Sequence, residues 1–217
     1  MPAPTARTKV RRLHEKADYD RATLNAILDA MPVAHVGYVL DGAPVVTPTL
    51  QWREGDHIYW HGSSASRMLR QSAGVQVCVT VTLTDGMVLA RSGFEHSVQY
   101  RCAMLFGRAE KVTDAAAKAG HLRAMMEGMY PGRWAALRPM TAQELKATTI
   151  LTMPIDEASA KVSAGMPSDP VADQSWPVWA GVLPITQRMG APQPDPAMPA
   201  GIATPAYVAQ YRFGQPL

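Results

Sequence analysis

The segment HIYWHGSSASRMLR, residues 57–70, gathers the residues of this chain best suited to hold an anion. A strand-like run leads into Gly62, the hydroxyls of Ser63, Ser64 and Ser66, and the guanidinium groups of Arg67 and Arg70. If a helix opens at Ser63 or Ser64, its first backbone N–H groups lack partners within the helix and point at whatever lies before them. The positive end of the helix dipole then favours a phosphate. Ser66 adds a hydroxyl, Arg67 a planar and permanently charged fork, and Arg70, one turn on, a second counter-charge. The same residues also describe an ordinary helix start followed by solvated arginines. Composition alone weighs these two readings evenly.

Other chemistries lack their usual signals. The chain contains no GxGxxG, GxxxxGK[ST], HExxH, GxSxG or CxxC. Its six histidines are scattered, and His57, His61 and His96 fall near strand ends, where a hydrogen-bonded structural role is commoner than metal ligation. Cys78 and Cys102 have no metal-binding spacing and sit in apolar runs, as buried thiols do. A net charge of +3 is too mild to argue for nucleic acid. The basic cluster Arg7, Lys9, Arg11 and Arg12 reads as a solvated arm. No stretch has the layout of a signal peptide, and no apolar run reaches the roughly 18 residues that span a bilayer. A cytoplasmic protein is expected, with neither a membrane nor a nucleic acid as partner.

The elements that must position these residues follow from periodicity. Asp20 is placed to cap a helix running to about Met31, with Leu24, Ile27, Leu28 and Met31 on one face and Pro32 ending it. VAHVGYVL and APVVTPTLQW read as strands about an Asp-Gly hairpin turn, and HIYW as another strand. A short helix is predicted from Ser63 to about Ser72. VQVCVTVTL alternates strongly, TDG reads as a turn into MVLARS, and SVQYRCAMLFGRAEKV is a long strand with Gly107 as a bulge or a close approach. Helices are expected over 113–129, capped by Thr113 or Asp114, and over 141–147, opened by the Thr141–Glu144 capping box. TTILTMPI and SAKVSA complete the sheet. Ten of the 18 prolines follow residue 165, so the tail from 166 to 217 is not regular throughout. Antiparallel hairpins with intervening helices point to a closed or nearly closed barrel rather than an alternating parallel sheet.

Three segments in order, VTPTLQWREGDHIYWHGSSASRMLR, TDGMVLARSGFEHSVQYRCAMLFGRAEKV and VWAGVLPI, resemble the pyridoxamine 5′-phosphate oxidase-related, FMN-binding split-barrel superfamily. Its nitroimidazole-reductase-like flavin-nucleotide-binding branch is the most similar. The likeness runs over about 12–190 and leaves a basic arm, 1–11, and a proline-rich tail, 191–217. It implies a mainly β fold with added helices (α+β), a six-stranded antiparallel split β-barrel, dimerised with itself so that FMN binds in clefts between the subunits. Carried onto this chain, Thr47, Pro48 and Thr49 would lie along the isoalloxazine ring. His61, Gly62, Ser66 and Arg67 would grip the phosphate. His96, Ser97, Tyr100 and Arg101 would approach from the other side, and Trp179 would close over the site. Cys102 departs from the serine expected beside the arginine, and Glu95 places a carboxylate next to His96, which disfavours a phosphate there. Some relatives ligate haem through a carboxy-terminal histidine, and this chain has none after His121, which argues against haem ligation from the tail.

The expected function is an FMN-dependent oxidoreductase acting on a small, flat, electron-poor or heteroaromatic molecule, with NADH or NADPH as a candidate donor. No protein nucleophile or metal cage is expected, the flavin itself carrying the electrons. Two alternatives stand beside it: a flavin carrier or sensor without robust turnover, and a phosphate-ligand or nucleic-acid binder without flavin.

Overall fold

A computed structural model describes residues 4–211; residues 1–3 of the basic arm and 212–217 of the tail lie outside the described residues. Helix α1 (Arg21–Ala30) buries Leu24, Ile27 and Leu28, the stripe that the spacing predicts. Met31 leaves the helix and packs half-buried on the core. The helix start is held by a different carboxylate from the one expected. Asp20 occupies the cap position without a side-chain bond, while Asp18 accepts from the Asp20 N–H at 2.7 Å and the Thr23 hydroxyl at 2.6 Å.

Among the described residues ten strands form one sheet: β1 (Ala17–Asp18), β2 (Val33–Leu40), β3 (Ala43–Glu54), β4 (His57–Ser63), β5 (Gln76–Leu89), β6 (Ser97–Arg108), β7 (Glu110–Lys111), β8 (Thr148–Pro154), β9 (Glu157–Ser163) and β10 (Gly181–Pro184). The resemblance implies six; the count is raised partly by β1, β7 and β10, which have only 2, 2 and 4 residues. The order is β1-β9-β6-β5-β2-β3-β4-β8-β7, with β10 added to β5, and every pairing is antiparallel. The β2–β3 turn carries Asp41 at φ 50° and Gly42 at φ 80°, the left-handed pair that a two-residue Asp-Gly turn requires.

Two expectations are corrected. The TDG triplet is not a turn. β5 runs straight through it, with a register shift between Thr84 and Gly86 that leaves Asp85 as the extra residue of a β-bulge. Inward positions are odd before the bulge (Val77, Val79, Val81, Leu83) and even after it (Gly86, Val88, Ala90). The second correction concerns the helix after β4. Pairing with β8 keeps the chain extended as far as Ser63, opposite Thr148, and the Ser64 N–H donates to the Ala147 carbonyl at 2.7 Å. Helix α2 (Arg67–Ser72) therefore opens at Arg67, with Ser66 as its cap residue.

The barrel interior is filled by Val36, Ile58, Trp60, Val79, Leu105 and Met153 with α1 closing it. Helices α3 (Ala115–Met129) and α4 (Ala142–Ala147) cover part of the outer face, over Trp52, Tyr59 and Ile150. Asp114 caps α3 by accepting from the Ala117 N–H at 2.7 Å, and the Thr141–Glu144 capping box opens α4, both as read from sequence. Gly107 marks a close approach: a Cβ there would sit 3.2 Å from the Met153 sulfur. On the outer face of the β2–β3 hairpin Val39 and Val46 are 66% and 65% exposed, beside the exposed His35. Residues 4–10 of the basic arm lie on the barrel, where Thr8 is buried, Arg7 pairs with Glu157, and its guanidinium stands 5.5 Å over the Phe106 ring. The tail carries β10 and a last short helix, α5 (Ala206–Gln210), but leaves Val171, Trp176 and Trp179 exposed. Among the described residues, no helix is long and apolar enough to cross a membrane.

Candidate functional site

The first group of candidate residues lies on β3, β4 and α2. Thr47 pairs with Val36 and Thr49 with Ala34, both fully buried, so the threonine side chains share the barrel side and are half-buried. Pro48 alternates to the outer face and is exposed. Gly62 lets α2 fold back tightly on β4, since a Cβ there would sit 3.1 Å from Leu69 Cδ1. At the mouth of α2 the Ser66 hydroxyl makes no capping bond. Arg67 and Arg70 are exposed, and neither guanidinium has a hydrogen bond or ion pair with another described residue.

His61 stands at the end of a row of rings on the outer face. Its ring meets Trp52 edge-on at 5.7 Å, Trp52 stacks on Tyr59 at 5.6 Å, and Tyr59 lies 4.5 Å from His121. Burial holds the His61 imidazole below its ordinary pKa, so the ring is neutral at neutral pH. Its Nδ1 is buried with no partner among the described residues. A proton placed there would be an unmet donor, so it belongs on Nε2. His121 is the reverse case: its Nδ1 lies 3.0 Å from the Glu54 carboxylate, which also accepts from Trp52 Nε1 at 2.6 Å. The carboxylate fixes the His121 proton on Nδ1.

The second group stands where β5, β6 and β10 run on beyond the bulge. Arg101 is not free: its Nε and Nη2 both donate to the Asp85 carboxylate at 2.8 Å, so its charge is spent on the bulge. His96 is exposed and donates from Nδ1 to the Ser92 carbonyl at 2.8 Å. Ser97 is exposed and Tyr100 half-buried, and neither side chain hydrogen-bonds to another described residue. Arg91 binds the buried Asp169, by its N–H at 2.8 Å and its guanidinium at 2.9 Å, tying the tail to the loop before His96. Burial pushes the Asp169 carboxyl up, but these bonds outweigh it and hold it below the usual carboxylate range. The Trp179 ring folds over Gly181, within 3.0 Å of where a Cβ would be, and is 60% exposed. Of these partners the sequence shows only the TDG aspartate, and for a different reason; Ser92, Asp169 and Glu54 carry no local signal.

Strand β2 stands between the two groups in the sheet, and no hydrogen bond or ring contact joins the candidate side chains of one group to those of the other among the described residues. Gly86 is where the tail can be uncoupled. A Cβ there would lie 2.9 Å from Gln99 Oε1 and 3.1 Å from the Leu183 carbonyl, so β10 must shift. Gly86→Val is expected to cost about 1–3 kcal/mol and to release β10 with Trp179. Limited proteolysis should then cut within 164–180, and a cleavage pattern like that of the parent would refute it.

The pyridoxamine 5′-phosphate oxidase family profile matches residues 20–162, from α1 to β9. The chain belongs to the pyridoxamine 5′-phosphate oxidase family. Within this family it is similar to flavocytochrome Anf3 from Azotobacter vinelandii, with 46% identity, 97% of this chain and 99% of that one covered, and a TM-score of 0.94. It is also similar to an FAD and heme binding protein from Mycobacterium smegmatis, with 42% identity over 91% of this chain and 98% of that one, and a TM-score of 0.87. A putative 5-nitroimidazole antibiotic resistance protein from Bacteroides thetaiotaomicron shares the fold at 23% identity, over 67% of this chain and 86% of that one, with a TM-score of 0.55. Among curated proteins no match is found. The family profile stops short of β10 and Trp179, while both relatives above 40% identity extend over most of the tail as well.

Proposed function

We propose that this chain is a flavin-dependent oxidoreductase that also holds haem, working as a homodimer. The observation that carries the flavin part is the mouth of α2: two guanidinium groups one turn apart with no counter-ion among the described residues, and an unspent Ser66 hydroxyl. Two arginines match a diphosphate better than a monophosphate. With the FAD named for the mycobacterial relative, this favours FAD over the FMN that the resemblance implies. The flavin supplies hydride and electron transfer, and haem supplies one-electron chemistry. The chain's own residues bind and orient: Arg67 and Arg70 neutralise the phosphates, and His61 donates from Nε2. Thr47, Pro48 and Thr49 offer strand backbone, while Tyr100, Ser97 and Trp179 stand ready to complete the site.

The separation of the two groups supports a site built from both subunits, one contributing α2 and the other the end of β6 with Trp179. The bare outer face around Val39 and Val46 supplies the apolar surface for that pairing.

The test is direct. The purified protein should show flavin absorption, and heat-released cofactor should run as FAD rather than FMN. Arg67→Ala should weaken flavin binding by about 1.5–3 kcal/mol, tenfold or more. Unchanged affinity would place the phosphates elsewhere. Anaerobic NADH or NADPH should bleach the flavin, and a nitroaromatic or quinone should restore it. Reduction by dithionite alone would leave a flavin carrier or sensor.

A further inference from the structure

We propose that the turn at residues 9–16 is the docking surface for an acidic one-electron carrier protein, which delivers electrons to the flavin; this rests on the flavin-dependent reading above. By sequence the basic arm reads as solvated, but the fold pins it to the barrel. Thr8 is buried, Arg7 pairs with Glu157, and the Val10 N–H donates to the Tyr19 hydroxyl at 2.9 Å. Lys161 Nζ donates to the Arg12 carbonyl at 3.3 Å, and Lys16 Nζ to the Ser163 hydroxyl at 3.0 Å. Leu13 closes the turn at φ 52° and ψ 51°, in the left-handed region where a leucine is seldom found.

The result is a fixed cluster of cations. Lys9, Arg11 and Arg12 are exposed, and none of their side chains has a hydrogen bond or ion pair with another described residue. Lys16 and Lys161 bond to neutral oxygens, so their charges are not neutralised. The carboxylates nearby are few. Glu157 is taken by Arg7, Asp18 is turned to Thr23 and the Asp20 N–H, and Glu15 lies beside His14. The whole chain carries only +3, so this is a local concentration of charge rather than the character of the surface. Leu13, between Arg12 and His14, is 45% exposed and adds an apolar contact.

The position favours a redox partner. Ser163, which holds Lys16, lies opposite Tyr100 in the β6–β9 register, and Lys161 lies opposite Cys102. The cations therefore stand one strand from residues that complete the proposed flavin site. Electron-carrier encounters are small, charge-steered and short-lived, and they need no cavity. Each encounter hands over one electron; two of them, with two protons from solvent, reduce the flavin fully. Nucleic acid and membrane fit less well. The turn has no Phe, Tyr or Trp on which a base could stack, Glu15 repels phosphates, and one exposed leucine gives a bilayer little to hold.

The experiment uses an acidic [2Fe–2S] ferredoxin as the probe, with two readouts. Immobilised and oxidised, it should retain the parent chain at low salt and release it as salt rises from about 50 to 300 mM. Reduced and mixed anaerobically with the flavin-loaded protein, it should bleach the flavin, fastest at low salt. Arg11→Glu with Arg12→Glu should slow that bleaching on the order of tenfold or more and flatten its salt dependence. Flavin content and reduction by dithionite should be unchanged. Arg123→Glu with Lys146→Glu, the same charge change at exposed positions of α3 and α4, should behave as the parent does. A parent whose bound flavin the ferredoxin fails to reduce overturns the proposal, as does an Arg11→Glu, Arg12→Glu chain with the parent's rate. Equal slowing in the charge-matched variant overturns it too. Flavin loss from the Arg11→Glu, Arg12→Glu chain also overturns it, and gives the turn to the flavin site. Tighter retention on phosphatidylserine vesicles or a DNA duplex than on ferredoxin overturns it in favour of that partner. A parent that ferredoxin retains in a salt-dependent way but that holds no flavin supports the surface and removes the flavin reading.

Discussion

A chain carrying Val39→Asp and Val46→Asp together is expected to be a folded monomer that has lost its flavin. Both valines lie on the outer face of the β2–β3 hairpin and are about two-thirds exposed, at 66% and 65%, so the carboxylates cost the isolated subunit little. In a two-fold pairing through this face each substitution appears twice. Four carboxylates would lose water without a partner, at several kcal/mol each. The dissociation constant should rise by at least about a thousandfold. Sedimentation velocity reads the assembly state, absorption reads flavin content, and far-ultraviolet circular dichroism checks the fold. A double variant that remains dimeric would remove this face from the interface. A parent protein that is monomeric with full flavin occupancy would remove the shared site altogether.

The largest stability effect is expected at Trp60. It is fully buried, on β4 between His61 and the barrel core. Trp60→Ala removes the whole indole and leaves a cavity that the surrounding strands cannot close, costing about 3–5 kcal/mol. For a chain of this size the melting temperature should fall by roughly 6–20 °C. Trp60→Phe should cost much less, because the Trp60 Nε1 is buried with no partner among the described residues and its loss relieves an unmet donor. Equal losses in the two variants, read by thermal denaturation, would show that the indole nitrogen is satisfied by water.

Much of the fold is legible because its signals are local. The Asp41–Gly42 turn, the Asp114 cap and the Thr141–Glu144 capping box each need residues within a few positions of one another, and each forms as read. The misread places are those where a distant partner decides. TDG has turn chemistry, but Asp85 is held by Arg101 across the strand pair and by the Ile185 N–H at 2.9 Å, so the strand continues. Ser63 and Ser64 have helix-start chemistry, but β8 keeps them extended. The candidate site divides in the same way. Arg67, Ser66 and His61 are visible from residue types in one short segment. That Arg101 is spent on Asp85, or that a backbone carbonyl orients His96, cannot be seen without the fold.

The single extra residue at position 85 leaves the facing pattern on either side of it untouched. Without Asp85 the run Leu83, Thr84, Gly86, Met87, Val88 would alternate without a break, so Val88 and Ala90 would still face inward and Met87 outward. What the deletion removes is the partner of Arg101 and the carbonyl that accepts from the Ile185 N–H, two ties between this strand and its neighbours. A residue lost or gained elsewhere in the strand would turn over every side chain beyond it. Tolerance of a length change along β5 is therefore confined to the bulge.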